Sequence, residues 1–272
     1  MRDKLIYMTK AALRWLYWLP ADLLQRRSRT GSLTPPRRIS FVGRGDGEQA
    51  GREFLGHFVE LGGLRADQRV LDIGCGIGRM AIPLAQTLGT ESYAGFDVGR
   101  GMIRWCSRQI TPRHPGFEFS WAPIFNGKYN PFGRVTATEF RFPYPDASFD
   151  FAFATSVFTH LLADEVRHYL AETSRVLRPG SSCLLTFFLL TPESEAELAA
   201  GRAALPFRHS VEHGLTTDRH TPEEAVAYRV ADLRAMFAES GLEIRDPIHR
   251  GGWANAPGAP SGQDIIVARR PA

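Results

Sequence analysis

Several classes of protein are poorly supported by what this 272-residue chain lacks. It has only three cysteines, Cys75, Cys106 and Cys183. An odd count with no paired spacing excludes a disulfide framework and a standard zinc site, and fits a reducing compartment. Cys75 lies in a glycine turn and Cys183 in an apolar run, where a thiol serves as a small packing residue. No apolar run is long enough to cross a bilayer. The first residues lack the clean apolar core and small-residue cleavage site of a secretory signal. Positive charge is also missing from most of the chain. The net charge is +4, yet residues 1–38 hold nine Lys or Arg against two acids, and the remainder holds 24 basic against 27 acidic residues. The body is mildly acidic and offers no broad basic face to nucleic acid.

What is present begins with size. A chain of this length with 43% hydrophobic residues can bury one good core and carry an added subdomain. Its organising stretch is Arg69 to Pro83, RVLDIGCGIGRMAIP. Val70, Leu71 and Ile73 form a short β-forming run that reads as a buried strand. It ends in Gly74, Cys75, Gly76, Ile77 and Gly78, after which Arg79 to Leu88 has helical spacing. Strand, glycine turn and helix let a backbone approach a nucleotide closely, because glycines carry no Cβ to collide with turn or ligand. Two acids sharpen this weak signal. Asp72 stands two residues before the first glycine, and Asp97 ends the next apolar run, Tyr93 to Phe96. An acid about 20 residues beyond the turn can accept both ribose hydroxyls.

Further along, Phe142-Pro143-Tyr144-Pro145-Asp146-Ala147-Ser148-Phe149-Asp150 leads into a buried strand, Phe151–Thr155. Arg175-Val176-Leu177-Arg178-Pro179-Gly180 precedes another, Cys183–Leu190. Taken in order over residues 69–190, these motifs resemble those of class I S-adenosylmethionine-dependent methyltransferases. The resemblance implies a Rossmann-like α/β fold: a seven-stranded, mostly parallel sheet with helices on both faces and a C-terminal antiparallel hairpin. It also implies S-adenosyl-L-methionine as cofactor. Asp72, Gly74, Cys75, Gly76, Gly78 and Thr155 would then surround its amino-acid end, Asp97 its ribose, and Val98 and Met102 its adenine. The family's usual acid after the third strand is absent, since Ala122-Pro123 stands there.

The expected domain plan is a basic amphipathic arm and linker over 1–38 and a catalytic domain over 39–272, with an insertion at 192–229. Over residues 1–27, Asp3, Lys10 and Arg14 share one helical stripe and apolar residues cover most of the rest. Trp and Tyr beside Lys and Arg suit a membrane interface, though a helix packed on the domain or on a second subunit fits as well. Pro20 is expected to end this helix or start a second turn. Phe41 or Arg44 could fold over the cofactor, or belong to a plain loop. Glu48 to Leu61 reads as a helix closed by Gly62-Gly63.

Beyond the cofactor unit, Gly101–Ile110 reads as a helix and Phe117–Trp121 as a third strand. Asn126 to Phe140 is a long loop in which Asn126, Tyr129 and Asn130 are candidates for a substrate wall, or for turn chemistry alone. His160 follows the fourth strand, at the carboxyl edge where open α/β sheets bind ligands. A neutral imidazole there could take the proton of an acceptor hydroxyl, or could simply cap the helix that follows. The insertion is expected to be polar and helical, a lid over the acceptor pocket. Its His209, His213, Asp218 and His220 match no metal-ligand spacing, so no metal is expected. Trp253, on the Gly/Pro-rich link of the final hairpin, either faces the pocket or caps the core.

The function these readings imply is methyl transfer, most simply to oxygen, on a small molecule, glycan or lipid-linked acceptor. The chain is expected in the cytoplasm, with residues 1–27 as a candidate for peripheral membrane contact. No Asn-Pro-Pro-Tyr amino-methylating motif is present. The rivals are a non-catalytic protein of the same fold, an RNA methyltransferase gripping phosphate with its arm, and a dinucleotide oxidoreductase. Asp72 and the RVLRPG turn disfavour the last.

Overall fold

The computed structural model describes residues 2–28, 33, 35–39 and 47–272. Phe41 and Arg44, considered above as a flap, lie outside the described residues. Parallel strands covered on both faces read as continuous apolar runs. β1 (Val70–Ile73) is of this kind, with all four residues buried. After α1 (Arg2–Ser28) and α2 (Gly47–Glu60), the chain builds β1, α3 (Ala81–Pro83), β2 (Tyr93–Asp97), α4 (Arg100–Gln109) and β3 (Phe117–Trp121). Then follow β4 (Phe149–Ala154), α5 (Ala163–Val176) and β5 (Leu177–Leu190). The order β3-β2-β1-β4-β5 is parallel throughout, with Leu71 opposite both Ala94 and Ala152.

The closing hairpin is β9 (Glu243–His249) and β10 (Asp264–Arg269). β10 lies antiparallel against β5, from Asp264 opposite Phe187 to Arg269 opposite Ser182, and β9 pairs outside it. These seven strands are the expected core. One apolar cluster, around Phe96, Phe142, Phe149, Phe158 and Leu170, fills one face. A second, around Phe58, Tyr93, Phe117, Phe151 and Phe153, fills the other beneath α2 and α4. Burying aromatic rings of this size contributes roughly 2–3 kcal/mol each.

Three local expectations change. The insertion is not predominantly helical. After α6 (Pro192–Ala199) it supplies β6 (His209–Val211), β7 (Gly214–Thr216) and β8 (Val226–Arg229), ahead of α7 (Val230–Glu239). β5 outruns β10, and its end from Phe188 to Leu190 pairs in parallel with Ala227 to Arg229. An open strand end in a buried sheet needs partners for its amides, and β8 provides them. The described sheet therefore has ten strands.

The helix expected over Arg79–Leu88 is α only at Ala81–Pro83 and becomes a π turn over Leu84–Leu88, closed by Gly89 at φ 72°. Pro83 has no N–H to give, so the regular ladder is interrupted there.

Pro20 does not end α1, which runs on to Ser28. The helix beyond Pro20 is held from outside. Asp22, 6% exposed, accepts from the backbone amides of Arg37 (2.8 Å) and Arg38 (3.1 Å) and from the Arg38 guanidinium (3.1 Å). Those bonds offset what the proline removes.

Candidate functional site

The carboxyl ends of β1, β2 and β4 open into one cleft, the usual place for a ligand in an open α/β sheet. Its inner wall is built from Ile73, Gly74, Phe96, Asp97, Val98 and Thr155. Its outer wall comes from Ile124 to Tyr129 and from Ser156, Val157 and His160.

The glycine turn is tied to β2 by the amides of Gly74 and Cys75, which both donate to the Phe96 carbonyl (2.9 and 3.1 Å). Gly74 has φ 78°, and a Cβ there would stand 2.3 Å from Val157 Cγ2, so neither the turn nor the cleft admits a side chain. Gly78 is a glycine for another reason. Its Cβ would meet Ile110 Cδ1 at 2.6 Å, so it lets α4 approach and does not face the cleft. Cys75 is buried and packs against Gly95. Gly76 has open space where a Cβ would be, and its amide donates to Asp97 Oδ2 (2.9 Å).

Asp97 accepts from Gly99 on its other oxygen (2.7 Å). Burial pushes this carboxyl up, while the two amide bonds pull it back. Each oxygen keeps a lone pair for a vicinal diol in the cleft. Asp72 sits elsewhere than expected. It is 1% exposed and lies behind the turn, outside the cleft lining. Its Oδ2 accepts from the Tyr93 hydroxyl at 2.6 Å, and its Oδ1 has no partner. Burial pushes the Asp72 carboxyl up to about 7; the Asp97 charge adds to this, and the Tyr93 hydroxyl and Arg79 oppose it. A buried carboxylate oxygen with no partner supplies negative potential behind a turn that is open at Gly76. That suits a ligand whose near end is cationic.

The outer wall is assembled from distant segments. Asn126 Oδ1 accepts from the amides of Lys128 and Tyr129 (3.0 and 2.9 Å), a side-chain-built turn that presents Tyr129 to the cleft. The Tyr129 hydroxyl lies 3.0 Å from His160 Nε2, and His160 Nδ1 lies 2.9 Å from the Glu223 carbonyl. A carbonyl only accepts, so Nδ1 carries the proton. Nε2 of the neutral ring then accepts from Tyr129. Burial, with the Lys128 charge, lowers His160 to about 4, against the opposing Glu223 carbonyl. Burial pushes the Tyr129 phenol up, so it remains a donor. Lys128 reaches across to Glu224 Oε1 (2.8 Å) and tethers this wall to the insertion.

Of the residues singled out from the sequence, the cleft gathers Gly74, Asp97, Val98, Asn126, Tyr129, Thr155 and His160. It does not gather seven others: Asp72, Gly76 and Gly78, described above, are outside the lining, and so are the four that follow. Met102 is buried in the first turn of α4, outside the lining. Asn130 donates to the Ile124 carbonyl (2.8 Å) and holds the loop. Trp253 packs on Phe188 and Phe207 and donates to Asp264 (2.7 Å), in a separate apolar cluster. Cys75, the fourth, is a packing residue of the turn.

Among the lining residues that sequence reasoning missed, two are polar-edged or exposed enough to meet a ligand, Ser156 and Phe125. Ser156 is a non-glycine at φ 60°, its hydroxyl donating to Gln263 (3.0 Å) and its amide to Thr186 (2.8 Å). Nothing in the sequence signals a serine in this strained region. Phe125 lines the cleft while 45% exposed; a lone aromatic in a polar loop was its available signal. Among the described residues no group of acids, histidines and cysteines could hold a metal ion.

Comparisons with known proteins bear on this geometry. Residues 71–185 match the family model described as a methyltransferase domain. Phthiotriol/phenolphthiotriol dimycocerosates methyltransferase 1 of Mycobacterium ulcerans (strain Agy99) is 33% identical over 177 residues, 60% of this chain and 54% of that protein. The 27-O-demethylrifamycin SV methyltransferase of Amycolatopsis mediterranei (strain S699) is 32% identical over 139 residues, 49% of this chain and 45% of that protein. The chain thus spans about half the length of the curated relatives it matches. A solved protein of Pyrococcus horikoshii OT3 superposes with a TM-score of 0.58 at 14% identity, over 86% of this chain and 95% of that one, which is agreement in fold.

Proposed function

We propose that this chain, which belongs through residues 71–185 to the class I S-adenosylmethionine-dependent methyltransferases, transfers the cofactor's methyl group to an oxygen of a small, glycan or lipid-linked acceptor. The observation that carries this reading is the pairing of two features on one cleft. The open glycine turn with Asp97 forms one wall, and an uncharged His160 with its acceptor nitrogen turned to Tyr129 forms the other.

When bound, S-adenosylmethionine supplies a methyl group already activated on a sulfonium. On this side Asp97 takes the ribose hydroxyls, Gly74 and Thr155 offer backbone along the amino-acid end, and Val98 flanks the base. Asp72 contributes charge from behind the turn and not by contact. On the other side, the acceptor hydroxyl occupies the Nε2 position that Tyr129 now holds. The cofactor would supply the methyl group to that oxygen, its sulfur keeping the electron pair of the broken bond, and His160 Nε2 would take the hydroxyl proton. An imidazole lowered to about 4 is a weak base, so the proton leaves as the new bond forms, when the oxygen has become acidic. Alignment of acceptor and methyl supplies much of the remaining rate.

One relative is named for phthiotriol/phenolphthiotriol dimycocerosates and another for 27-O-demethylrifamycin SV; for this chain the acceptor reading is supported by the cleft's mostly apolar lining. On the same reading the arm over residues 1–27 holds the protein at an anionic membrane surface, from the cytoplasmic side. No described helix is long and apolar enough to cross a membrane.

Calorimetric titration with S-adenosylhomocysteine and with NAD tests the cofactor. Micromolar binding of the first, lost on Asp97→Ala, is the expected result. Binding of NAD, or of neither ligand, refutes it. His160→Ala with intact cofactor affinity and unchanged turnover would remove the base.

A further inference from the structure

α1 is folded inside out. Tyr7, Ala11, Arg14, Trp18 and Asp22 recur every three to four residues, and these form its half-buried or buried stripe. What they face is polar or aromatic. Asp22 binds Arg37 and Arg38, Arg14 Nε donates to the Arg38 carbonyl (3.1 Å), and the Arg37 guanidinium sits 4.9 Å over the Trp18 ring. The opposite face carries Met8, Leu13, Leu16, Tyr17, Leu23 and Leu24, from 52% to 74% exposed. A water-facing helix normally buries its apolar stripe and exposes its ions. Here the two charged residues of α1 whose side chains are described, Arg14 and Asp22, are turned inside, and a broad apolar face is left outside.

The inward stripe of α1 leads to a second group of exposed apolar residues. The Tyr7 ring meets Phe132 edge-on at 6.1 Å, and Phe132 is itself 47% exposed. The next residue, Gly133, lies so close to the backbone of Ile124 and Phe125 that a Cβ would stand 2.1 Å from the Phe125 amide nitrogen. Phe125, 45% exposed, then lines the cleft. Exposed apolar residues thus flank the Tyr7 contact on both sides, Met8 on α1 and Phe132 and Phe125 on the loop that holds Tyr129.

We propose that this strip is a single lipid-facing surface, seated on an anionic bilayer, along which a long-chain amphiphilic acceptor passes from the bilayer into the cleft. This deepens the methyl-transfer reading and rests on it for the fate of the acceptor. Charge selects the occupant. Leaving aside Arg14, Arg37, Arg38 and Asp22, which bind one another or Trp18, residues 1–38 still hold six Lys or Arg against one acid, and this excess beside a mildly acidic body favours an anionic lipid surface over a second copy of the chain.

The probe is vesicles of equal parts phosphatidylglycerol and phosphatidylcholine, with phosphatidylcholine alone as reference. The full chain should co-sediment with the anionic vesicles. Leu16→Glu with Leu24→Glu should weaken this at least about tenfold while leaving S-adenosylhomocysteine affinity unchanged, which also certifies the fold. A Phe125→Trp variant read against a matched Phe125→Leu background should gain fluorescence that brominated phosphatidylcholine quenches. Vesicle binding without that quenching overturns the continuous strip. A dimer that Leu16→Glu with Leu24→Glu dissociates, with no vesicle binding, makes the occupant a second copy and overturns the lipid assignment. Loss of homocysteine-adduct binding in the unaltered chain would instead strike the methyl-transfer reading and leave the vesicle result standing.

Discussion

The two walls of the cleft are made in different ways. The inner wall is local: Ile73, Gly74, Phe96, Asp97 and Val98 sit at or just beyond two adjacent parallel strands, and its hydrogen bonds run between β1 and β2. The outer wall is assembled: Tyr129 reaches His160, His160 reaches Glu223, and Lys128 reaches Glu224, so three segments far apart in the chain must meet. A local wall is rigid because the sheet that carries it is the core. An assembled wall stands only as long as its long-range bonds do, and can vary without disturbing the sheet. On the proposed reading the cofactor would lie against the wall that the sheet fixes, and the acceptor against the wall that can vary.

The largest expected effect strikes the inner wall. Gly74→Val combines a left-handed φ of 78° with a Cβ 2.3 Å from Val157 Cγ2, which together cost about 4 kcal/mol. S-adenosylhomocysteine binding should vanish in calorimetry and the urea midpoint should fall. A Gly74→Val protein of native stability and affinity would show that the inner wall is as adaptable as the outer one.

That wall was also the more legible from sequence. β1 and β2 stand within a residue of where apolar runs put them, because they are buried strands whose composition records their burial; β3 stands in its expected place although only Phe117 of it is buried, and the hairpin was implied by the family resemblance. Asp97 could be placed from its distance to the glycines. Asp72 could not, since whether an acid at a strand end faces the ligand or the core depends on what stacks behind it, here the Tyr93 hydroxyl. The outer wall was legible only as candidates. Asn126 and Tyr129 look alike in sequence to Asn130, and only the loop's own closure separates the residue that lines the cleft from the one that braces it. β6 and β7 were missed because three-residue strands show no periodicity, and β8 because β5 supplies its pairing.

Acid–base behaviour separates the walls next. Asp72 is raised above its unfolded value of about 3.8, to about 7. Its contribution to stability is therefore present below about pH 4 and lost as pH rises through 7. His160 is lowered from about 6.5 to about 4. Its contribution is present above about pH 6.5 and lost as pH falls through 4. At full extent these amount to about 4 kcal/mol for Asp72 and about 3 kcal/mol for His160. Chemical denaturation across pH should show Asp72→Asn gaining on the unaltered protein between pH 5 and 8, an advantage that added S-adenosylmethionine shrinks by placing a cation near the carboxylate. His160→Phe should close its deficit as the medium is acidified. Parallel stability curves for the unaltered protein and either variant would remove that residue's assigned ionisation.

The smallest effect tests whether the outer wall can be loosened alone. The Lys128–Glu224 pair is partly exposed on both sides, 28% and 50%, and a pair of that kind contributes about 0.5 kcal/mol. Lys128→Ala should therefore leave the unfolding midpoint and S-adenosylhomocysteine affinity nearly unchanged. Its consequence lies elsewhere. The same ammonium sits 5.1 Å over the Tyr129 ring and helps keep His160 neutral. Losing it frees the loop from the insertion and raises His160, so the acid limb of the pH–rate profile should move to higher pH, with a higher KM for the acceptor. A uniform fall in kcat, with KM and pH profile both unmoved, would mean that the two walls act as one body and that the division drawn between them has no kinetic meaning.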